Sequence, residues 1–212
     1  MTEVEVFGVR CMERLAADLG DRYSPRAATL ETFGVYHANQ RPVIDGLLRL
    51  RDTLAEHVRV GAGIVLYGTV GTGKDHLLAA MLYAAAALPT TTRWINGQEL
   101  FGSFRDRIDT GQRDEDQFRE LCAPQVLGIS DPIPPVGQPG AWDVGNLYRL
   151  LDRRYRSCKS TWVSLNAGSV EDADDKLSQP VFDRLRDGAE IFRCFWPSYR
   201  ERKGGASCRL SK

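Results

Sequence analysis

Residues 64–76 read IVLYGTVGTGKDH. Ile64 to Tyr67 form a short apolar run bounded by glycines, the pattern of a buried strand. Gly68-Thr69-Val70-Gly71-Thr72-Gly73-Lys74 follows and fits G-x-x-x-x-G-K. Glycines let the main chain curl until several N–H groups face one anion. The Leu- and Ala-rich stretch 74–88 predicts a helix whose positive N-terminal end adds to that attraction. Lys74 then reaches the β- and γ-phosphates as a point charge. The bare motif arises by chance in about 6% of chains this long at ordinary Gly and Lys frequencies. Its place between a strand and a helix is the context the motif requires.

One position departs from the motif. The residue after the lysine is ordinarily Ser or Thr, whose hydroxyl ligates Mg²⁺. Here it is Asp75. A carboxylate is a good hard ligand for Mg²⁺, but beside a phosphate it repels unless a metal intervenes.

Outward from this stretch, strand and helix patterns alternate. Strands are predicted at 92–95, 126–129, 161–165 and 191–195, and helices at 97–108, 142–156 and 178–187. Upstream, Val9, Met12, Leu15, Ala16 and Leu19 lie at helical spacing. Residues 20–42 read as irregular, and a helix is predicted from Pro42 to Arg59. Alternation of this kind means a parallel sheet covered on both faces. Trp94 and Trp162 are assigned to the core, and His37, His57 and His76 to packing or surface. The small polar residues 204–212 are expected to fray.

Composition narrows the functional classes. The 212 residues are 42% apolar and 26% charged, with 28 basic and 28 acidic side chains. Zero net charge excludes a generally basic nucleic-acid coat and an acidic solvating tail. The length fits one domain. MTEVEVFGVR has no apolar signal region. The longest apolar run, Leu77 to Leu88, is twelve residues, short of the ~20 that span a bilayer. Cys11, Cys122, Cys158, Cys194 and Cys208 are scattered and never spaced as C-x-x-C. They are read as reduced thiols of a cytoplasmic protein rather than metal ligands.

A second acidic position lies in VLGISD, residues 126–131, a strand ending in Asp131, 57 residues after Lys74. In this order, GTVGTGKDHLLAA, VLGISD, LLDRRYRSCKSTWVSLNA and FDRLRDGAEIFRCFWPSYR resemble the AAA+ ATPases of the DnaC/IstB type, bacterial helicase loaders and transposition helper ATPases. The resemblance covers roughly residues 28–202. It implies residues 1–27 as an extension with a short helix, residues 28–202 as an α/β P-loop NTPase domain of AAA+ type, and 203–212 as a tail. The implied sheet has five parallel strands in the order 5-1-4-3-2. The implied ligands are ATP and Mg²⁺, held by Gly68, Thr69, Val70, Gly71, Thr72, Gly73, Lys74, Asp75 and His76. Asn166 matches the sensor 1 residue that orients water. Arg184 matches the arginine finger that acts on a neighbouring subunit's nucleotide, which implies a homo-oligomer. Arg200 matches the sensor 2 arginine near the γ-phosphate. Arginine suits both places through its permanent charge and forked donors.

The acidic pair departs from that pattern, because Ser130 stands where relatives carry the first of two acids. The metal set is then Asp75, Ser130 and Asp131, with Asp131 also positioning water. Either hydroxyl and carboxylate have exchanged places between loop and strand, with hydrolysis retained but weak, or the protein is a nucleotide-gated binding module that does not turn over. A small-molecule kinase is disfavoured, because no lid arginine cluster is recognisable. The family also implies single-stranded DNA and a helicase or transposase as partners, with no membrane. Arg149, Arg153, Arg154, Arg156 and Lys159, and Arg105 with Arg107, are the candidate DNA-contacting clusters. A full helicase-docking domain does not fit in the residues before the match. The helix at 9–19 is expected to cap the core.

Overall fold

The computed structural model describes residues 3–109, 114–134 and 139–200. Its centre is a five-stranded parallel sheet in the order β2-β3-β4-β1-β5, the expected order. The strands are β1 (Ile64–Gly68), β2 (Thr92–Asn96), β3 (Val126–Ser130), β4 (Ser160–Asn166) and β5 (Glu190–Cys194). Alternation along each strand divides the apolar residues between two faces. Ile64, Leu66, Val126, Trp162 and Phe192 join one core under α1 (Glu3–Leu19), α2 (Gln40–Asp52), α3 (Leu54–Arg59) and α4 (Lys74–Ala86). Val65, Tyr67, Leu127, Ile129, Val163 and Leu165 join the other. Its cover is α5 (Gly97–Asp109), α6 (Asp114–Cys122), α7 (Ala141–Arg156), α8 (Val170–Leu177) and α9 (Gln179–Arg186). Beyond its first turn α4 is apolar on every side and buried nearly all round, as a helix against a sheet centre must be.

Several elements differ from the sequence reading. The first helix begins at Glu3 rather than near Val9. It lies along the outer strand β2, where Asp18 accepts from Arg93 Nε (2.7 Å) and from the Trp94 N–H (3.2 Å). That bond satisfies one donor of an otherwise open sheet edge. The helix expected over 42–59 breaks at Thr53, which has φ −111° and ψ 14°. Helices α6 and α8 are additions to the expected elements, because each is short and acidic with few apolar positions to mark a period. Trp162 is fully buried, and Trp94 is half-buried against the same core. Among the described residues no helix is long and apolar enough to cross a membrane. The Arg107 side chain, Cys208, the tail 204–212 and part of the proline-rich loop after Asp131 lie outside the described residues.

Candidate functional site

The C-terminal ends of β1, β3 and β4 open onto one cleft of about 760 Å³. Ligands of open parallel sheets bind at this end of the strands. The loop after β1 forms its floor. Gly71 has φ +80° and Gly73 φ +89°, a left-handed conformation that glycine adopts freely. Gly73 is the N-cap of α4, and no capping side chain accepts from the N–H groups of the first turn. The free N–H groups of that turn make an anion-binding end.

Lys74 is buried, and its Nζ donates to Gly68 O (3.0 Å), Thr69 O (2.7 Å) and Thr72 Oγ1 (3.4 Å). The ammonium therefore rests on its own loop. Burial lowers its pKa, an effect that nearby Cys194, Asp75 and Asp131 oppose. Asp75 follows on the first turn. Its Oδ1 accepts from Ser130 Oγ (2.9 Å) and from Ser164 Oγ (2.6 Å). These serines face each other in register on β3 and β4, and pleat alternation turns both toward α4. The departure at the loop and the departure at the strand, 55 residues apart, are thus in direct contact.

Asp131 leaves β3 at φ +52°, a region that Asp tolerates better than most residues. Its N–H donates to Ser164 O (2.9 Å), and its Oδ2 accepts from Asn166 Nδ2 (2.6 Å). Its Oδ1 is buried and without a partner. Burial and then the charge of Asp75 raise the carboxyl pKa. Among the described residues no three His, Cys, Asp or Glu side chains gather at a metal site. The donor set is two carboxylates and two hydroxyls, all hard oxygens, with one carboxylate oxygen orphaned. It suits Mg²⁺ shared with phosphate oxygens, the usual way this ion is held.

The roof comes from both ends of the chain. Phe33, Tyr36 and Tyr199 line it with Tyr23, and the Tyr36 and Tyr199 rings lie 5.7 Å apart. The segment after β5 is strapped to the loop. Tyr199 N–H donates to Gly71 O, and Trp196 Nε1 to Thr72 O, both at 2.9 Å. This places Arg200 on the cleft wall. His76 Nε2 sits 2.8 Å from Thr29 O and pins the irregular segment 20–39 to α4. Lys176 of α8 also lines the cleft, bonded to Asp172 and Asn166 O. The sequence reading singles out neither Ser164 nor Lys176.

Arg184 is not brought to this cleft. It pairs with Asp152 at 3.3 Å and lies over the Tyr155 ring on the α7–α9 surface. The basic clusters are also engaged. Arg154 is fully buried and cannot touch DNA, a correction of its assignment. Arg153 pairs with Glu115, Arg156 with Asp152 and Arg105 with Asp143. Arg149 lies over Phe118, and Lys159 donates to the carbonyls of Cys122 and Ala123.

No protein-family model matches the chain. It is 25% identical over 175 residues to the replicative helicase loader DnaC of Escherichia coli (strain K12), covering 82% of this chain and 71% of DnaC. It is 28% identical over 189 residues to an insertion-sequence ATP-binding protein of Mycobacterium tuberculosis, covering 81% and 69%. Among solved structures, the DnaC helicase loader superposes with a TM-score of 0.72 at 19% identity, over 82% of this chain and 99% of that one. AMPPCP-bound DnaA from Aquifex aeolicus superposes with a TM-score of 0.64 at 17% identity, over 92% and 58%. The fold is the AAA+ P-loop fold of the DnaC and DnaA structures, and in sequence the chain is similar to DnaC and to insertion-sequence ATP-binding proteins.

Proposed function

We propose that the protein binds ATP with Mg²⁺ in the β1–α4 cleft, hydrolyses it weakly, and acts on DNA or on a DNA-handling partner in replication or transposition. The observation that carries the ATP site is the uncapped N-terminus of α4 behind Gly73, with Lys74 beside it and the cleft open above. The relatives' names support the setting.

Each residue then has a stated task. Lys74 exchanges its loop carbonyls for phosphate oxygens. The main-chain N–H groups of the loop hold the anion in place at no reorganisation cost. Asp131, made more basic by its surroundings and oriented by Asn166, positions or deprotonates the attacking water. Arg200 reaches the terminal phosphate from the strap. Arg184 completes the site of a neighbouring copy in a homo-oligomer. Asp75, Ser130 and Asp131 would hold Mg²⁺, which would supply charge neutralisation to the phosphates.

A phosphate-release assay with and without single-stranded DNA tests this reading. Lys74→Ala is expected to lower turnover about a hundredfold, the usual cost of losing one preorganised donor at a transferring group. Unchanged turnover in that variant places hydrolysis elsewhere. The second reading, a nucleotide-gated binding module, is favoured by the carboxylate at Asp75. It predicts an ATP-dependent change in oligomer size without phosphate release.

The exchange of roles between loop and strand has its own test. Asp75→Thr and Ser130→Asp, made singly and together, are expected to show a coupling of about 1–3 kcal/mol in turnover. If the double variant equals the sum of the singles, the two positions act independently and no exchange has occurred.

A further inference from the structure

We infer that Asp75 makes nucleotide binding conditional on the divalent cation, so that ATP enters this cleft only as its metal complex. The inference rests on the ATP-binding reading above and concerns how that site is loaded.

The argument is one of donors and acceptors. At this position the usual Ser or Thr is neutral and carries a hydroxyl hydrogen. Asp75 brings a negative charge to the first turn of α4, one residue after the lysine that must meet the phosphates. The two hydroxyls that could have donated to a phosphate oxygen, Ser130 Oγ and Ser164 Oγ, spend their hydrogens on Asp75 Oδ1. Their lone pairs remain, a hydroxyl having one hydrogen and two acceptor sites. Among the described residues no hydrogen bond reaches Asp75 Oδ2, and Asp131 Oδ1 is also without a partner.

This wall of the cleft therefore presents acceptor oxygens. The positive charge of the cleft lies on other walls, at Lys74 of the loop and at the rim cations Arg22, Lys176 and Arg200. A bare polyphosphate meets like charge at close range in a partly buried site, where water screens poorly. A hard cation meets the oxygens it prefers. Ser164 orients the carboxylate through a 2.6 Å bond at the strand ends, while the charge of Asp75 sets the requirement. A threonine in place of Asp75 would instead have a hydroxyl free to turn toward the phosphate.

Equilibrium titration of the full chain with ATP, in EDTA and in Mg²⁺, decides this. The unaltered protein is expected to bind ATP at least about a hundredfold more tightly with Mg²⁺. Asp75→Thr and Asp75→Asn are expected to cut that ratio to about tenfold or less, chiefly by gaining affinity in EDTA. A gain of function of this kind does not arise from a misfolded variant. Ser164→Ala, which keeps the charge, is expected to retain the metal requirement. Equal EDTA affinity in the unaltered protein and Asp75→Thr overturns the inference. Loss of the requirement in Ser164→Ala overturns it too, since the hydroxyl network rather than the charge would then set it. ATP bound by no variant under either condition overturns the ATP-binding reading itself.

Discussion

Replacing Arg154 by methionine is expected to lower the unfolding free energy by about 3–5 kcal/mol, the scale for stripping a buried charge network of one member. Arg154 is completely buried at the end of α7. Its Nε donates to Thr161 Oγ1 (2.9 Å). Nη1 donates to Leu121 O (2.9 Å) and Pro124 O (3.0 Å), and Nη2 to Gln125 O (3.3 Å) and Ser160 O (2.6 Å). All five guanidinium donors are thus used. They tie α6, the turn before β3, and the start of β4 to one side chain. Burial pulls its pKa down to about 10, so it remains charged at neutral pH. Methionine fills much of the volume but leaves four carbonyls short of donors. Each orphaned group costs about 1–3 kcal/mol, partly offset by relief of the guanidinium's own desolvation. Arg154→Lys recovers little, because one ammonium cannot reproduce a planar fork. The exposed Arg156, paired with Asp152, is the comparison. Arg156→Met is expected to cost under about 1 kcal/mol. Urea unfolding of the three variants reads this directly. A loss at Arg154 no greater than at Arg156 refutes the account.

Arg154 also shows what kind of information the sequence held. It stands in a run of arginines that looks like one basic patch, and charge alone cannot separate its members. The phase of α7 can, because Leu147, Leu150, Leu151 and Arg154 recur at the helical period on one face. The inward Arg was legible to periodicity and hidden by composition. The nucleotide loop was legible for the opposite reason. Glycine and lysine at fixed spacing state a backbone shape and a charge within seven residues, and the flanking strand and helix confirmed the context. The sheet order came from the resemblance, since the pairing of β1 with both β4 and β5 leaves no local trace. Ser164 could not be found by either route. Its meaning depends on facing Ser130 in register across two strands, and on α4 bringing Asp75 over both. Arg184 matched a motif, yet the fold places it on the α7–α9 surface beside Asp152, away from the cleft.

The second large effect is expected at a residue with no motif at all. Gly97→Ala is expected to destabilise the fold by about 3 kcal/mol, the upper end for overpacking, and to lower phosphate release at least about tenfold. Gly97 opens α5 immediately after β2, and Asn96 Oδ1 fixes it there by accepting from the Gln98 N–H (2.9 Å). A methyl group on Gly97 would meet Pro132 Cα, Asp131 O (2.5 Å) and Pro132 N (2.7 Å), all main-chain atoms. Rotating a side chain cannot relieve such a clash, so the exits of β2 and β3 must separate. The residue displaced is Asp131. It already holds a left-handed backbone, and it is tied to Ser164 O and Asn166 only through hydrogen bonds. The β1–α4 loop stands two strands away from β3, across β4. Turnover is therefore expected to fall more than ATP affinity in Gly97→Ala, because Lys74 and the loop N–H groups stay in place while Asp131, the water-positioning group and one of three metal ligands, is displaced. Urea unfolding, ATP titration and phosphate release on this one variant measure all three quantities. Unaltered stability means that the two strand exits are not packed as described. Normal turnover in a destabilised variant removes Asp131 from the reaction.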